Sequence, residues 1–544
     1  MTVFRFLLPL LALALCTCAV RTPERAAVTL TLAAINDFHG NLELPAGGVP
    51  ERDDATQKLT RTAAGGVARL ATVIGRMRAQ NPHFVFVSAG DLVGASPLTS
   101  GYFDDEPTIE AMNYLKLDLN GVGNHEFDRG RDELLRLQAG GCPSGGCKSG
   151  LPFGGAKFGF LAANVIVRET GATLFPAYAI REYGGVKVAF IGVTLKETPA
   201  VLTRAAAAGL EFADEADTVN RLIPELKRAG IEAIVVLIHQ GGFQRGGPND
   251  CTDFRGPIIE LVRRFDRAVD AVISGHTHQA YICRVEGRLV TSAGSYGRVL
   301  TEIELRLDPE TRDVVAASAV NHVVRTDVPE NPVLAALVAR QAHMLKTLDR
   351  TVGRIMQSLL NIQNSDGESA LGQLIADAHL EATAGAEVAF MNPGGIRVPI
   401  DFKGEGVVTY SALYAVQPFG NHLVSMTLTG EQLLRLLEQQ WSVSGLRLLQ
   451  ISKGSGFAWN PNQPAGARIV RDSVVINGRP LQMDRDYRIT VNSYLADGGD
   501  NLPLLREGRS REAGQQSIDA LIAYFGRHSP VSPGAERRVR RIDP

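Results

Sequence analysis

The sequence predicts an α/β fold in two domains or more. Three observations predict it: short apolar runs alternate with amphipathic stretches, metal-ligating residue types follow those runs directly, and 544 residues exceed what one ordinary core holds. Strand-like runs lie at 28–35, 84–88, 187–193, 233–238 and 268–273. Between the first two, Val67, Leu70, Ile74 and Met77 step by three and four, the spacing of one apolar helix face. In an open α/β sheet, ligands bind outside the carboxyl ends of the strands, so polar residues there are the first candidates for chemistry.

Residues 329–349 read as a helix with Leu334, Leu337, Val338, Leu345 and Leu348 on one face. Gln341 interrupts that stripe, which predicts only partial burial for it. This helix is the expected connector to a second domain of mixed helix and strand at 351–542. The basic tail at 536–541 reads as a solvated end. No internal repeat and no low-complexity stretch is visible.

Lys and Arg (56) nearly balance Asp and Glu (58), which leaves no basic footprint for a nucleic-acid polymer but leaves small charged substrates open. Met1 to Val20 carry one Arg, a short apolar run and small residues, the pattern of a secretory signal. Thr17 and Ala19 place cleavage after Ala19. Lipid attachment at Cys16 or Cys18 is the less favoured alternative, because Leu15 and Thr17 match lipid processing poorly. No later segment is apolar enough to span a membrane as a helix. A periplasmic or secreted protein is expected, lipid-anchored to the envelope in the alternative.

Removing Cys16 and Cys18 leaves Cys142, Cys147, Cys251 and Cys283, an even number that suggests disulfides in an exported protein. Cys142 and Cys147 bound a short Gly-rich loop and form the natural local pair. Cys251 and Cys283 flank S-G-H-T-H, and a bridge between them would brace that loop at a gain of about 3–4 kcal/mol. The spacing is not that of paired zinc knuckles.

The ligating residues are Asp37 and His39 in I-N-D-F-H-G, Asp91 in S-A-G-D, Asn124 in G-N-H-E-F-D, His239 in V-L-I-H-Q, and His276 and His278 in S-G-H-T-H. Any one of these pieces is common in polar loops; their conjunction at strand ends is the signal. Together they offer a mixed oxygen and nitrogen shell for two divalent cations, with Asp91 the best bridging carboxylate. Mn, Zn, Co and Fe all suit such a shell. Two metals roughly 3.5–4 Å apart clamp the attacking and leaving oxygens of a displacement at phosphorus, and a metal-bound water supplies the nucleophile. His125 and Asp128, three positions apart, suit an imidazole held by a carboxylate, able to protonate a leaving alkoxide. The bland alternative makes His125 one more ligand and Asp128 a helix cap.

Three short motifs mark the second domain: Asn392-Pro-Gly-Gly-Ile-Arg397, Gln417-Pro-Phe-Gly-Asn421 and Tyr494-Leu-Ala-Asp-Gly-Gly-Asp500. Each alone reads as a turn. Beside a phosphoesterase centre they read as a nucleotide site, since glycines admit close backbone approach, Arg grips phosphate and two aromatics sandwich a base.

The set D-F-H, G-D, G-N-H-E, H and G-H-T-H resembles the calcineurin-like metallophosphoesterase signature. With the second-domain motifs, the mature chain resembles the bacterial periplasmic 5′-nucleotidase/UDP-sugar hydrolase family. That resemblance implies a four-layer α/β/β/α catalytic domain and a smaller α/β substrate-binding domain joined by a helix, with domain rotation carrying substrate to the metals. The implied division is a signal peptide at 1–19, a catalytic domain at 27–326, a linker helix at 329–350 and a substrate domain at 351–542. Asp37, His39, Asp91 and His278 would hold one metal, and Asp91, Asn124, His239 and His276 the other. Asn124 would also touch phosphate, and His125–Asp128 would be the catalytic dyad. Phe419 and Tyr494 would stack the base, Asp500 would hold the ribose hydroxyls, Arg397 would meet phosphate, and Asn392 would lie near the base. Gly394, Gly395 and Asn421 complete the implied substrate-binding set. The chain departs from the family in having Tyr494 where Phe is frequent. It also lacks, in 361–369, the basic residue that some members place before the following helix.

The resulting expectation is an exported dinuclear-metal hydrolase of nucleoside 5′-monophosphates. The same centre could instead serve 2′,3′-cyclic nucleotides, UDP-sugars or dinucleotides. From another class comes a nucleotide-binding surface protein with a relict catalytic domain, which the intact ligand set and His125–Asp128 pair argue against. A thiosulfate-ester hydrolase branch shares the catalytic domain but does not call for the aromatic pair.

Overall fold

The computed structural model describes residues 26–52, 59–442, 448–534 and 536–542. The expected signal segment, with Cys16 and Cys18, lies outside them. In the N-terminal part, two six-stranded sheets lie face to face. One runs, in spatial order, Asp313–Val323, Val299–Asp308, Val28–Ile35, Phe84–Ser88, Leu119–Gly121 and Gly159–Leu161. The other runs Ala280–Val285, Arg288–Ala293, Ala271–Ser274, Ala233–His239, Val186–Thr194 and Tyr178–Tyr183. The first is antiparallel at the Asp313–Val323 margin and parallel from Val28–Ile35 to its Gly159–Leu161 edge, and the second has a parallel centre and two antiparallel margins.

Strand alternation decides which side chain enters which layer. Leu30, Leu32 and Ala34 face inward with Val85 and Val87 against Phe190, Val235 and Leu237 of the second sheet, while Ala33 and Ile35 face outward under helices. Helix Val67–Gln80 covers the first sheet with Val67, Leu70, Ile74 and Met77, as their spacing predicts. Helices Glu215–Arg228 and Pro257–Arg264 cover the second. The layering is thus α/β/β/α. The strand expected at 268–273 begins later, at Ala271, because Asp266 and Val269 close a turn through Val269 N–H to Asp266 O.

Helix Pro332–Leu345 follows, started by Asn331, whose Oδ1 accepts from the Val333 and Leu334 amides. Leu334 and Leu345 are buried, but so is Gln341, at 1% exposure. The expectation of partial burial is corrected: Gln341 sits on the buried side of the helix, and neither end of its amide has a protein partner.

The second domain has a five-stranded sheet in the order Gln450–Ile451, Val388–Met391, Asp486–Asn492, His422–Thr429 and Arg509–Gln516, and a smaller four-stranded sheet. Its core gathers Phe390, Met426, Leu436, Phe457 and Ile489. The basic tail is not a solvated end. Val539–Arg541 adds a parallel strand to Gly456–Trp459. Arg538 is buried with both terminal nitrogens on Asp377, at 2.7 and 2.9 Å, and Arg537 forks onto Asp366. The acidic partners lie more than a hundred residues upstream, so a local reading of the tail could not find them. Disulfides join Cys142 to Cys147 and Cys251 to Cys283. No helix among the described residues is long and apolar enough to cross a membrane.

Candidate metal centre and active site

The candidate ligand side chains sit where strands of both sheets end. Asp37 and His39 follow Val28–Ile35, Asp91 follows Phe84–Ser88, Asn124 follows Leu119–Gly121, His239 ends Ala233–His239, and His276 and His278 follow Ala271–Ser274. The chain leaves these strands in a left-handed conformation at Asp37, His39, Asp91, His276 and His278, with φ between 47° and 71°. Such conformations cost free energy in non-glycine residues and collect at functional sites. Gly123 is required for a different reason: a Cβ there would collide with Asp91 Oδ1 and His239 Nδ1.

All seven side chains converge. Asp37, His39 and His278 form one group, and Asp91, His239 and His276 another, each with ligand atoms within 4.8 Å of one another. Asp91 lies between them, its Oδ2 3.0 Å from His239 Nε2 and 3.6 Å from His39 Nε2. His276 Nδ1 lies 3.0 Å from Asn124 Oδ1, and His278 Nε2 lies 3.2 Å from both Asp37 Oδ1 and His39 Nε2.

The hydrogen bonds on the far side of each ring test whether these residues suit a metal. His39 Nδ1 lies 2.8 Å from Gly94 O, and His239 Nδ1 lies 2.8 Å from Ala89 O. A carbonyl only accepts, so both Nδ1 atoms carry a proton, and in the neutral ring that a metal requires each Nε2 presents its lone pair to the cluster. Burial opposes charge on His239, but Asp91, whose Oδ2 lies 3.0 Å from Nε2, outweighs it and raises the ring to about 10, so without a metal a proton occupies the place between them. A divalent cation takes the place of that proton, and rings anchored through the other nitrogen are the usual metal-site pattern. The donor set fits.

Electrostatics agree with crowding. Burial works to raise the Asp91 carboxyl, yet His239, His125 and His39 outweigh it and hold Asp91 well below the carboxylate range. For Asp37, burial is likewise outweighed, chiefly by His278. Burial, reinforced by Arg397, drives His39 well below its ordinary value. His125 moves upward: burial opposes its charge, but Asp128 and Asp91 prevail. Its Nδ1 lies 2.8 Å from Asp128 Oδ2, the pairing that the three-residue spacing predicts.

A residue that sequence reasoning passed over ties this wall together. Glu126, inside the quoted G-N-H-E-F-D, is buried and accepts from the amides of Asp91 (2.9 Å), Leu92 (2.8 Å) and Gly123 (2.9 Å). It clamps the Asp91 loop to the Asn124–His125 turn. Its position in the motif was the available signal. Tyr296 was also missed; its ring packs 5.3 Å from that of His278, and its amide donates to Asp37 O at 2.7 Å.

The second domain closes over this centre. A cavity of about 660 Å³ is lined on one side by Asp91, Asn124, His125, Asp128, His276 and His278, and on the other by Asn392, Gly394, Gly395, Arg397, Phe419, Asn421, Tyr494 and Asp500. Asp37, His39 and His239 lie buried beneath it. Arg397 reaches across, its Nη2 3.2 Å from His39 Nε2, and Phe419 stacks 5.8 Å from the His125 ring. Asp500 N–H donates to Ala200 O of the catalytic domain at 3.2 Å. Ala200 adjoins Val201–Thr203, a further lining segment that no motif announced. The segment 361–369 does not line the cavity; its Asp366 and Glu368 are engaged by the Arg537–Val539 tail.

This is the architecture of a phosphoesterase whose metal-ligand cluster is capped by a separate binding domain. Family models describe the same two parts: calcineurin-like phosphoesterase over residues 30–280 and 5′-nucleotidase, C-terminal domain over 351–507. Mouse 5′-nucleotidase is 27% identical over 97% of this chain and 93% of its own length. A 5′-nucleotidase precursor from Thermus thermophilus superposes with a TM-score of 0.79 at 27% identity, covering 95% of this chain and all of that one. Endonuclease YhcR of Bacillus subtilis is 30% identical over 96% of this chain, which spans only 41% of that relative's length. The chain belongs to the 5′-nucleotidase family and is a metal-dependent phosphoester hydrolase.

Proposed function

We propose that this chain is an exported hydrolase that releases phosphate from nucleoside 5′-monophosphates, using two divalent ions held by Asp37, His39, Asp91, Asn124, His239, His276 and His278. One observation carries the reading. A single cavity joins the ligand cluster to a guanidinium, an aromatic ring and a carboxylate from the other domain, the groups that phosphate, base and ribose would need. The ions would supply water activation and charge neutralisation at phosphorus. Asp91 would be shared between them, held in place by the His125 N–H that donates to its Oδ1 at 2.8 Å. Arg397 would grip the phosphate, and Asn124 would touch it. His125, oriented by Asp128, would protonate the departing ribose oxygen. Phe419 and Tyr494 would hold the base. Two disulfides favour an oxidising compartment and hence export. The working division remains catalytic domain 27–326, linker 329–350 and substrate domain 351–542.

Hydrolysis with Mn²⁺ of AMP, read as inorganic phosphate, and of UDP-glucose, 2′,3′-cyclic AMP and bis(p-nitrophenyl) phosphate, read as UMP, adenosine monophosphate and p-nitrophenol, tests the reading. Fast release from AMP is expected. Slow turnover of AMP with rapid cleavage of the diesters or UDP-glucose would keep the centre and reassign the substrate.

A further inference from the structure

Asp500 is oriented on both oxygens before any nucleotide arrives. Tyr494 Oη–H donates to its Oδ1 at 2.7 Å, and Asn392 Nδ2 donates to its Oδ2 at 2.9 Å. The Asp500 amide donates back to Tyr494 Oη at 2.9 Å. Asn392 cannot turn its amide over, because Asn492 Nδ2 donates to its Oδ1 at 2.9 Å. Asn492 is fixed in turn by accepting from Leu495 N–H at 2.9 Å.

The backbone is built around the same contact. Asp500 is left-handed at φ 53°, and Gly499 has no room for a Cβ because the Tyr494 ring lies against it. Burial and the Asp500 carboxylate push the Tyr494 phenol well above its ordinary value, so it remains a donor. Its other acceptor, Ala200 O at 3.4 Å, is far weaker than Asp500.

Each carboxylate oxygen accepts more than one hydrogen bond, so each keeps a free acceptor direction after this network forms. Two such directions, fixed in space, complement the two O–H donors of a vicinal diol. A sugar lacking one hydroxyl leaves one direction unmet, and sites built to bond a hydroxyl reject analogues that lack it.

We propose that the Tyr494 hydroxyl is a positioning group: it fixes Asp500 to receive both ribose hydroxyls, and so makes this chain select ribo- over 2′-deoxynucleotides. The hydroxyl is then the functional part of the side chain, since Phe would keep the ring but leave Asp500 held at Oδ2 alone. The proposal rests on the nucleotide reading of the cavity.

The test uses the full chain and Tyr494→Phe, Asp500→Ala and the double variant, with Asp500→Asn as the substitute if Asp500→Ala does not fold. Two readouts are taken: kcat/KM for AMP and dAMP, and calorimetric Kd for adenosine and 2′-deoxyadenosine. The parent should favour the ribo form by about tenfold or more, the worth of a hydrogen bond to a charged acceptor. Tyr494→Phe should shrink that preference severalfold, mainly through KM for AMP. Adding Tyr494→Phe to Asp500→Ala should change the ratio no further, because both act through one carboxylate. Equal weakening of AMP and dAMP by Tyr494→Phe would overturn the proposal and leave the nucleotide reading standing. Failure of the parent to hydrolyse AMP or bind adenosine would bring down that reading, and the proposal with it.

Discussion

On the side of the cavity that holds the ligand cluster, His239 Nε2 and Asp91 Oδ2 face each other at 3.0 Å, a contact that only a proton or a metal ion between them makes favourable. On the opposite side, Tyr494, Asp500, Asn392 and Asn492 pass donor to acceptor without a gap. The first wall is a set of lone pairs and negative charge that a cation completes. The second is satisfied by its own side chains and waits for a ligand only at its outer lone pairs. Chemistry and selection therefore place different demands on the fold. One stores strain in left-handed loop residues at buried strand ends, and the other stores orientation in a hydrogen-bond chain centred on the Asp500 carboxylate.

The largest expected effect breaks the catalytic wall without touching its ligand set. His125→Ala should lower kcat by about 10²–10⁴, the usual worth of a positioned acid or base, with metal content by mass spectrometry unchanged. Loss of bound metal in this variant would make His125 a ligand and move the boundary between the metal cluster and the dyad.

The next effect contrasts buried imidazoles. Those of the centre sit beside carboxylates, whereas His379, on helix Ala370–Glu381, is fully buried with neither nitrogen partnered. Burial drives its pKa from 6.5 down to about 3. Above pH 6.5 it is neutral folded or unfolded and contributes nothing to pH dependence. As pH falls from 6.5 toward 3, the unfolded chain takes up a proton that the folded one refuses, and stability is lost. The loss is on the order of 4–5 kcal/mol across that window. His379→Leu should remove this component, read as a flatter midpoint against pH in urea unfolding. An unchanged acid slope would mean that His379 finds a partner.

These residues also show what the sequence made legible. Strand ends at Asp37, Asp91, His239 and His276 were readable because an apolar run that stops at a ligating residue leaves a periodic trace. The His125–Asp128 pairing was readable because both lie within one turn. The left-handed backbone, the Glu126 clamp and the Asp500–Ala200 contact were not, because each depends on which segments meet in space. The Arg538–Asp377 pair fails for the same reason, joining residues 161 apart. In the substrate domain the motif residues were identifiable, but their mutual bonds were not, since an Asn and a Tyr in turns have many possible partners.

A milder variant sharpens the contrast between binding and chemistry. Phe419 lies 5.8 Å from the His125 ring and 5.7 Å from the Arg397 guanidinium, at the seam of the two walls. Phe419→Ala should raise KM for AMP by about tenfold, within the range for losing one base–aromatic stack. Turnover of a small aryl phosphate, which has no base to stack, should hardly change. Equal damage to both substrates would place Phe419 with the catalytic wall, as a support for His125.

The smallest effect concerns the helix between the walls. Gln341 buries an amide with no protein partner on the same face as Leu334 and Leu345, where an apolar side chain of similar length would leave no polar atom unpaired. An unsatisfied buried polar group costs about 1–3 kcal/mol, so Gln341→Met should stabilise the protein by about 1 kcal/mol after imperfect packing is allowed for. The measurement is the calorimetric transition of the full chain, followed with kcat on AMP. If stability rises and kcat holds, the amide serves neither wall and the helix is a passive strut. If stability rises while kcat falls, the unpaired amide is what lets this helix release its packing as the domains move, and its cost is retained for turnover.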